Sequence, residues 1–242
     1  MTTKAYFTTS WDDGSIYDLK LAELLTRYNI KGTFYIPIRN RERQDNITSN
    51  EIREIATRFE IGGHTHSHVI LTEVSDEIAR QEIENGKKEL ENILGKEIEA
   101  FCFPRGKYRK EHIKMAKNSG FLFCRTTGFL RTKDLIKRRE MLMHTTLQFY
   151  PHRRFSFFIS AIKRKDVEGI SLITKCFKND FYNFLNTILD FITTNGGIFH
   201  LWGHSWELEK YQLWDKLEDF FRQLNGIPLI YKTNSEIWND CI

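Results

Sequence analysis

The sequence predicts an α/β fold whose parallel strands close into a barrel, and three observations carry the prediction. Strand-like apolar runs alternate with amphipathic helical stretches about seven times, the pattern of strand–helix–strand crossovers. At 242 residues, with 40% hydrophobic and 28% charged side chains, the chain can bury one large core and is too apolar for disorder. The residues best suited to chemistry follow the C-terminal ends of different predicted strands: Asp12-Asp13, His64/His68, Pro104-Arg105-Gly106, Arg125 and His204. A barrel gathers such ends on one face, whereas an open sheet spreads them along an edge.

The elements follow in order. Lys4 to Thr9 reads as a strand and runs into the Asp12-Asp13-Gly14 turn. Tyr17 to Tyr28 is helical, with Leu19, Leu21, Ala22, Leu24 and Leu25 on its apolar face. Gly32 to Ile36 is rich in strand formers, and Thr48 or Ser49 caps a helix reaching about Phe59. Gly62-Gly63 then leads into the histidine cluster. Ser75 to Leu94 is a long amphipathic helix stopped by Gly95. Ile98 to Phe103 is a strand, Lys110 to Ser119 a helix stopped by Gly120, and Phe121 to Thr127 a strand. Met141 to Phe149 reads as a strand inside the least legible stretch, where an insertion or lid is expected at about 130–180. Phe181 to Thr193 is helical, Ile198 to Trp202 a strand, Leu208 to Leu224 a helix and Ile227 to Tyr231 a strand. The expectation is one domain over residues 1–242.

Composition excludes several classes. The net charge of +4 is mild, and the basic clusters (Arg39 to Arg43, Lys137 to Arg139, Arg153-Arg154, Lys163 to Lys165) read as solvated surface, so no nucleic-acid partner is expected. The four cysteines, Cys102, Cys124, Cys176 and Cys241, have no metal-knuckle spacing and read as reduced thiols. No apolar run approaches the ~18–20 residues that span a bilayer. Met1-Thr2-Thr3-Lys4 runs straight into a strand without a leader pattern, so the expected location is cytoplasmic.

Asp12-Asp13 and His64-Thr65-His66-Ser67-His68 supply what a hydrolytic metal site needs: a carboxylate and two imidazoles as ligands, plus a spare carboxylate. Neighbouring side chains on an extended chain point opposite ways, so one aspartate of the pair binds while the other is free to act as a base. A lone Asp-Asp pair is usually a turn and a lone His-x3-His often a surface pair. Their joint occurrence at successive strand ends favours the metal site.

The order Ser10-Trp11-Asp12-Asp13-Gly14, His64-Thr65-His66-Ser67-His68, Phe103-Pro104-Arg105-Gly106 and a late strand ending in histidine resembles the polysaccharide deacetylases, the NodB-homology family of carbohydrate esterases. The resemblance spans roughly residues 4–130 and 195–235. It implies a distorted (β/α)7 TIM-like barrel and removal of acetyl groups from N-acetylated sugars. It also implies that Asp13, His64 and His68 bind a divalent metal ion, usually zinc, with Asp12 as general base. The backbone N–H of Arg105 would then serve the oxyanion, and a histidine would protonate the departing amine. His204, just past the strand end, is favoured for that role, with His200 orienting it or lining the pocket. The likeness has gaps. Where the family's third motif has an arginine holding the base, this chain has Cys102, and Arg125 on the next strand is the substitute. The fourth motif, which tunes the acid histidine, is missing; Glu207 is the candidate, although an exposed helix-start glutamate is the plainer reading. His66 is read as structural, and Trp202, Trp206, Tyr35 and Tyr108 as a sugar-stacking wall or core.

The expected function is a metal-dependent deacetylase acting on an N-acetylated sugar or glycan in envelope biosynthesis, touching a membrane only if that substrate is lipid-linked. An allantoinase-like hydrolase of a cyclic amide or ureide, and a catalytically inactive carbohydrate-binding relative, are the alternatives.

Overall fold

A computed structural model describes residues 4–150 and 181–240. Among the described residues ten strands lie in one sheet: β1 (Ala5–Asp12), β2 (Gly32–Ile36), β3 (Glu60–Gly63), β4 (Ala100–Cys102), β5 (Phe123–Arg125), β6 (Ile136–Lys137), β7 (Leu142–Met143), β8 (Leu147–Gln148), β9 (Gly197–Gly203) and β10 (Ile230–Tyr231). The described helices are α1 (Asp18–Arg27), α2 (Ser49–Ile55), α3 (Asp76–Leu94), α4 (Lys110–Asn118), α5 (Phe181–Asn195), α6 (Ser205–Lys210), α7 (Trp214–Gln223) and α8 (Asn234–Asp240). None is long and apolar enough to cross a membrane.

Strand order along the ladder is β6-β7-β5-β4-β3-β2-β1-β9-β8, parallel throughout except for β6 against β7. The two ends of this path nearly meet. β7 pairs with β5 and β8 with β9, yet Met143 and Leu147 are only four peptide units apart, hence within about 15 Å. The sheet has therefore curled through almost a full turn, closed by chain connectivity instead of a ladder, which makes it the expected distorted barrel. The expected strand over Met141 to Phe149 is accordingly two strands. Between them the backbone changes neighbours, with Thr145 N–H donating to Gly128 and Thr146 N–H to His200. The last strand also differs from expectation. β10 pairs with Tyr6 and Phe7 of β1, on the flank that β2 occupies further along from Thr9 to Asp12.

Strand alternation sorts the side chains. Phe7, Trp11, Phe101, Phe199 and Leu201 pack outward into the main core beneath the helices, where Leu21, Ala22, Leu24 and Leu25 of α1 are buried. Fully burying each such leucine contributes about 1.5–3 kcal/mol. The intervening residues face the barrel interior, a smaller cluster of Tyr35, Ala100, Cys102, Phe123, Met143 and Ile198 closed by Trp238 of α8, which stacks on Phe123 at 4.9 Å. The same inward rows carry Ser10, Asp12, Arg125 and His200, all buried. The helix expected over Leu208 to Leu224 is broken into α6 and α7 at Gln212, whose φ of 53° lies in the left-handed region. Thr48, one of the two expected caps, closes a capping box with Glu51, although α2 ends at Ile55 short of the expected Phe59, and the left-handed Gly95 ends α3 as expected. Of the segment read as an insertion or lid, 130–150 forms β6 to β8, and 151–180 lies outside the described residues.

Candidate active site

The C-terminal ends of β1, β3, β4 and β9 open into one cleft of about 510 Å³ lined by Asp12, Asp13, His64, His68, Arg105 and His204 among others. Four residues at these strand ends adopt the left-handed region without being glycine: Asp13 (φ 85°), Thr65 (φ 66°), His68 (φ 55°) and Arg105 (φ 57°). Such backbone costs on the order of 1–3 kcal/mol per residue and persists only where surrounding contacts fix it.

Asp13 is the centre. Its Oδ1 lies 3.5 Å from His64 Nε2 and 3.0 Å from His68 Nε2. Ligand atoms ~2.1 Å from one tetrahedral ion are ~3.4 Å apart, so these separations suit a shared cation. His64 donates its Nδ1–H to the Cys102 carbonyl at 2.8 Å, which leaves Nε2 as a lone-pair donor. Trp206 donates its indole N–H to Asp13 Oδ2 at 2.9 Å and turns Oδ1 toward the histidines. Burial works against the Asp13 carboxylate, but His204, His64 and His68 outweigh it and hold its pKa well below the usual range. His64 shows the converse: burial would lower it, while Cys102, Asp13 and Asp12 raise it well above an ordinary imidazole. The spot attracts positive charge, and its donor set fits a zinc-type divalent ion.

Asp12 faces elsewhere. Arg125, fully buried on β5, donates from Nη2 to Asp12 Oδ1 at 2.7 Å. The same guanidinium reaches Ser10 Oγ (3.1 and 3.3 Å) and Cys102 Sγ (3.3 Å), and lies over the rings of Trp202 and Tyr35. Arg125 is therefore the arginine that holds Asp12. Asp12, His64 and Cys102 also come within 4.8 Å of one another. That second group suits a cation poorly, because burial pushes the Cys102 thiol up and the guanidinium already occupies its edge.

His204 and His200 have separate fates. His204 Nδ1 is 2.7 Å from Glu207 Oε2, and its Nε2 faces the cleft 3.8 Å from Asp13 Oδ2. Burial lowers its pKa, but Asp13 and Glu207 outweigh that and raise it above the ordinary imidazole value. Glu207, whose side chain is 12% exposed, is thus the tuning acid and not the solvated helix-start residue of the plainer reading; Gln148 also donates to it at 2.9 Å. His200 does not line the cleft. It donates Nδ1–H to the His144 carbonyl at 3.0 Å and its Nε2 accepts from Ser10 at 2.8 Å. Burial, then Arg125, holds its pKa well below the usual value, so it stays neutral. Its place is behind Arg125, supporting Ser10, and of the two histidines only His204 reaches the cleft.

Arg105 turns its exposed side chain to an ion pair with Glu42 while its turn lines the cleft beside Gly106. His66 points outward to Glu89, as expected. Of the aromatic wall, Trp202 and Trp206 line the cleft. Tyr35 is instead inside the barrel, and Tyr108 stacks on Phe103 at 4.5 Å. Ser10, Trp206's bond to Asp13 and Glu42 were not singled out by sequence reading. They are single residues far in sequence from the groups they serve, and no spacing marks them.

Fold and site together are those of a strand barrel whose cleft gathers an Asp-His-His cluster with the spacing to hold a cation. The polysaccharide deacetylase family profile matches residues 2–124, and the chain belongs to that family. Over 122 residues it is 28% identical to the peptidoglycan-N-acetylglucosamine deacetylase of Bacillus cereus, and over 120 residues 24% identical to YxkH of Bacillus subtilis, named as a polysaccharide deacetylase. Each match covers 49% of this chain and 43% of the relative, so under half the length of these relatives is matched. A solved structure from Mycobacterium smegmatis, described as a polysaccharide deacetylase, superposes with a TM-score of 0.69 at 16% identity, covering 99% of this chain and 91% of that one. At that identity the likeness is one of fold.

Proposed function

We propose that this protein is a metal-dependent hydrolase that removes the N-acetyl group of a sugar in glycan or envelope polysaccharide biosynthesis. The observation that carries the reading is the division of labour between adjacent aspartates, Asp13 among the histidines and Asp12 held apart by Arg125. Asp13, His64 and His68 would hold the ion. Bound there, a divalent cation supplies Lewis acidity toward an amide carbonyl and toward water.

The chain's own residues do the rest. Asp12, anchored through Oδ1, takes the proton of the attacking water. The Arg105 main-chain N–H, in the turn lining the cleft, is the donor for the developing oxyanion, a role indifferent to the side chain. His204, kept protonated by its acidic neighbours, gives its proton to the departing amine. Trp202, Trp206 and Phe129 offer apolar faces for a pyranose ring. The missing arginine and fourth motif speak for a ureide hydrolase, and Cys102 in the arginine position for an inactive relative. Arg125 on Asp12 and Glu207 beside His204 support the deacetylase instead.

The test is acetate release from N-acetylated sugars and oligosaccharides by zinc-loaded protein. Asp12→Asn is expected to keep its zinc and lose about 100- to 10,000-fold in kcat, whereas His68→Ala loses both metal and turnover. Wild-type turnover in Asp12→Asn ends this reading.

A further inference from the structure

The two histidines of the centre are not held alike. His64 has its Nδ1–H on the Cys102 carbonyl, but His68 Nδ1 is buried without a hydrogen-bond partner, its side chain only 3% exposed. An imidazole that gives its Nε2 lone pair to a cation must carry its proton on Nδ1, and that proton then needs an acceptor. The carboxylates of the cleft are mostly committed. Asp12 is held by Arg125, Asp13 by the histidines and Trp206, and Glu207 by His204 and Gln148. Glu42, in the segment between β2 and α2, is the exception. Its Oε1 stands 3.9 Å from His68 Nδ1, and its Oε2 is paired with Arg105 across the cleft mouth.

We propose that Glu42 is a positioning residue for the metal centre: with a cation on His68 Nε2, Glu42 Oε1 moves in to accept His68 Nδ1–H, completing a carboxylate–histidine–metal relay. The gap to be closed, from 3.9 Å to an ordinary hydrogen bond of about 2.8 Å, needs only a side-chain rotation. Arg105, whose exposed side chain pairs with the other carboxylate oxygen, keeps the carboxylate in range. This rests on Asp13, His64 and His68 being the cation site.

The experiment is zinc affinity of the purified full chain, measured by competition with a chromophoric chelator, for wild type, Glu42→Ala, Glu42→Gln and Asp13→Asn. Each variant's thermal melt is recorded without metal to confirm folding. Glu42→Ala is expected to weaken zinc binding by about 10- to 100-fold, the usual loss for a partner of a ligating histidine. Glu42→Gln, which keeps an acceptor oxygen at the same reach, binds zinc more tightly than Glu42→Ala. The loss persists at about 1 M salt, where screening reduces the Debye length to ~3 Å. Zinc binding by Glu42→Ala within about twofold of wild type, with Asp13→Asn abolishing it, overturns the proposal and leaves the metal site standing. A loss equal in both Glu42 variants that vanishes in high salt also overturns it, since it would report only the field of a nearby charge. Unchanged binding in Asp13→Asn overturns the site itself and this proposal with it.

Discussion

Asp12 and Arg125 put two opposite charges in the barrel interior, where desolvation is offset only while each satisfies the other. The guanidinium does so by geometry: one planar fork reaches Asp12, Ser10 and Cys102, and His200 fixes Ser10 from behind. A lysine ammonium is a single point donor and cannot span these three. Arg125→Met should therefore cost about 3–5 kcal/mol in chemical denaturation, because it strands the Asp12 carboxylate. The double variant with Asp12→Asn should recover much of that loss. Additive losses would show that the pair does not act as a unit. The replacement was half legible in the sequence. Arg125 was visible as an arginine at the next strand end, but the Ser10–His200 support behind it was not, since it joins residues 190 apart. Asp12, Asp13, His64 and His68 were readable because each pair is contiguous or four apart. Glu207 was undervalued because sequence gives no measure of its burial.

At the scale of elements, α3 sets the position of the histidine segment. Its Glu82 accepts His66 N–H through the carbonyl and Ser67 N–H through the carboxylate, and its Gly86 lies directly against that segment. A methyl group at Gly86 would stand 2.7 Å from the Thr65 carbonyl carbon and 2.8 Å from His66 N, backbone atoms with nowhere to go. Helix propensity alone favours alanine over glycine by about 1 kcal/mol. Overpacking opposes it with about 1–3 kcal/mol, and the steric term wins because α3 and the segment are tied by two hydrogen bonds. Gly86→Ala is expected to lower stability by up to about 2 kcal/mol net and to weaken zinc binding, read by thermal melts and chelator competition. A stabilised variant with wild-type zinc affinity would mean the helix does not position the ligands. Elements with strong periodicity and end signals, such as α1 and α3, were legible to within a residue or two. The split of β7 from β8 and of α6 from α7 was not: β9 recruits Thr146 from far along the chain, and Gln212 turns left-handed without a glycine to mark it.

For the whole molecule, closure of the barrel was foreseeable through where the reactive residues fall and through the family resemblance, since no local pattern distinguishes a closed ring from an open sheet. Closure brings α1 and α6 together behind the site, and there Asp18 is fully buried. Its Oδ1 accepts from Ser205 at 2.6 Å, and its Oδ2 has no partner. Burial, aided by the charges of Asp13 and Asp12 and opposed by Ser205, pushes its pKa up to about 8. In the unfolded chain the same group titrates at about 4. Between those values the native state holds a proton that the unfolded state has released, so stability falls as pH rises through that window. Each pH unit between the two titrations corresponds to about 1.4 kcal/mol, so over about four units the loss is bounded at roughly 5 kcal/mol. Asp18→Asn keeps the acceptor for Ser205 and removes the titration. In chelator-treated protein, where no ion competes for the neighbouring carboxylates, the variant should match or slightly trail wild type at pH 5. At pH 8 it should melt higher, because only wild type then bears the cost of keeping a buried carboxyl either protonated or charged. Melting curves of the two proteins that run parallel from pH 5 to pH 8 would show that Asp18 is ionised in the folded state throughout, with water or a cation supplying the partner that its Oδ2 lacks.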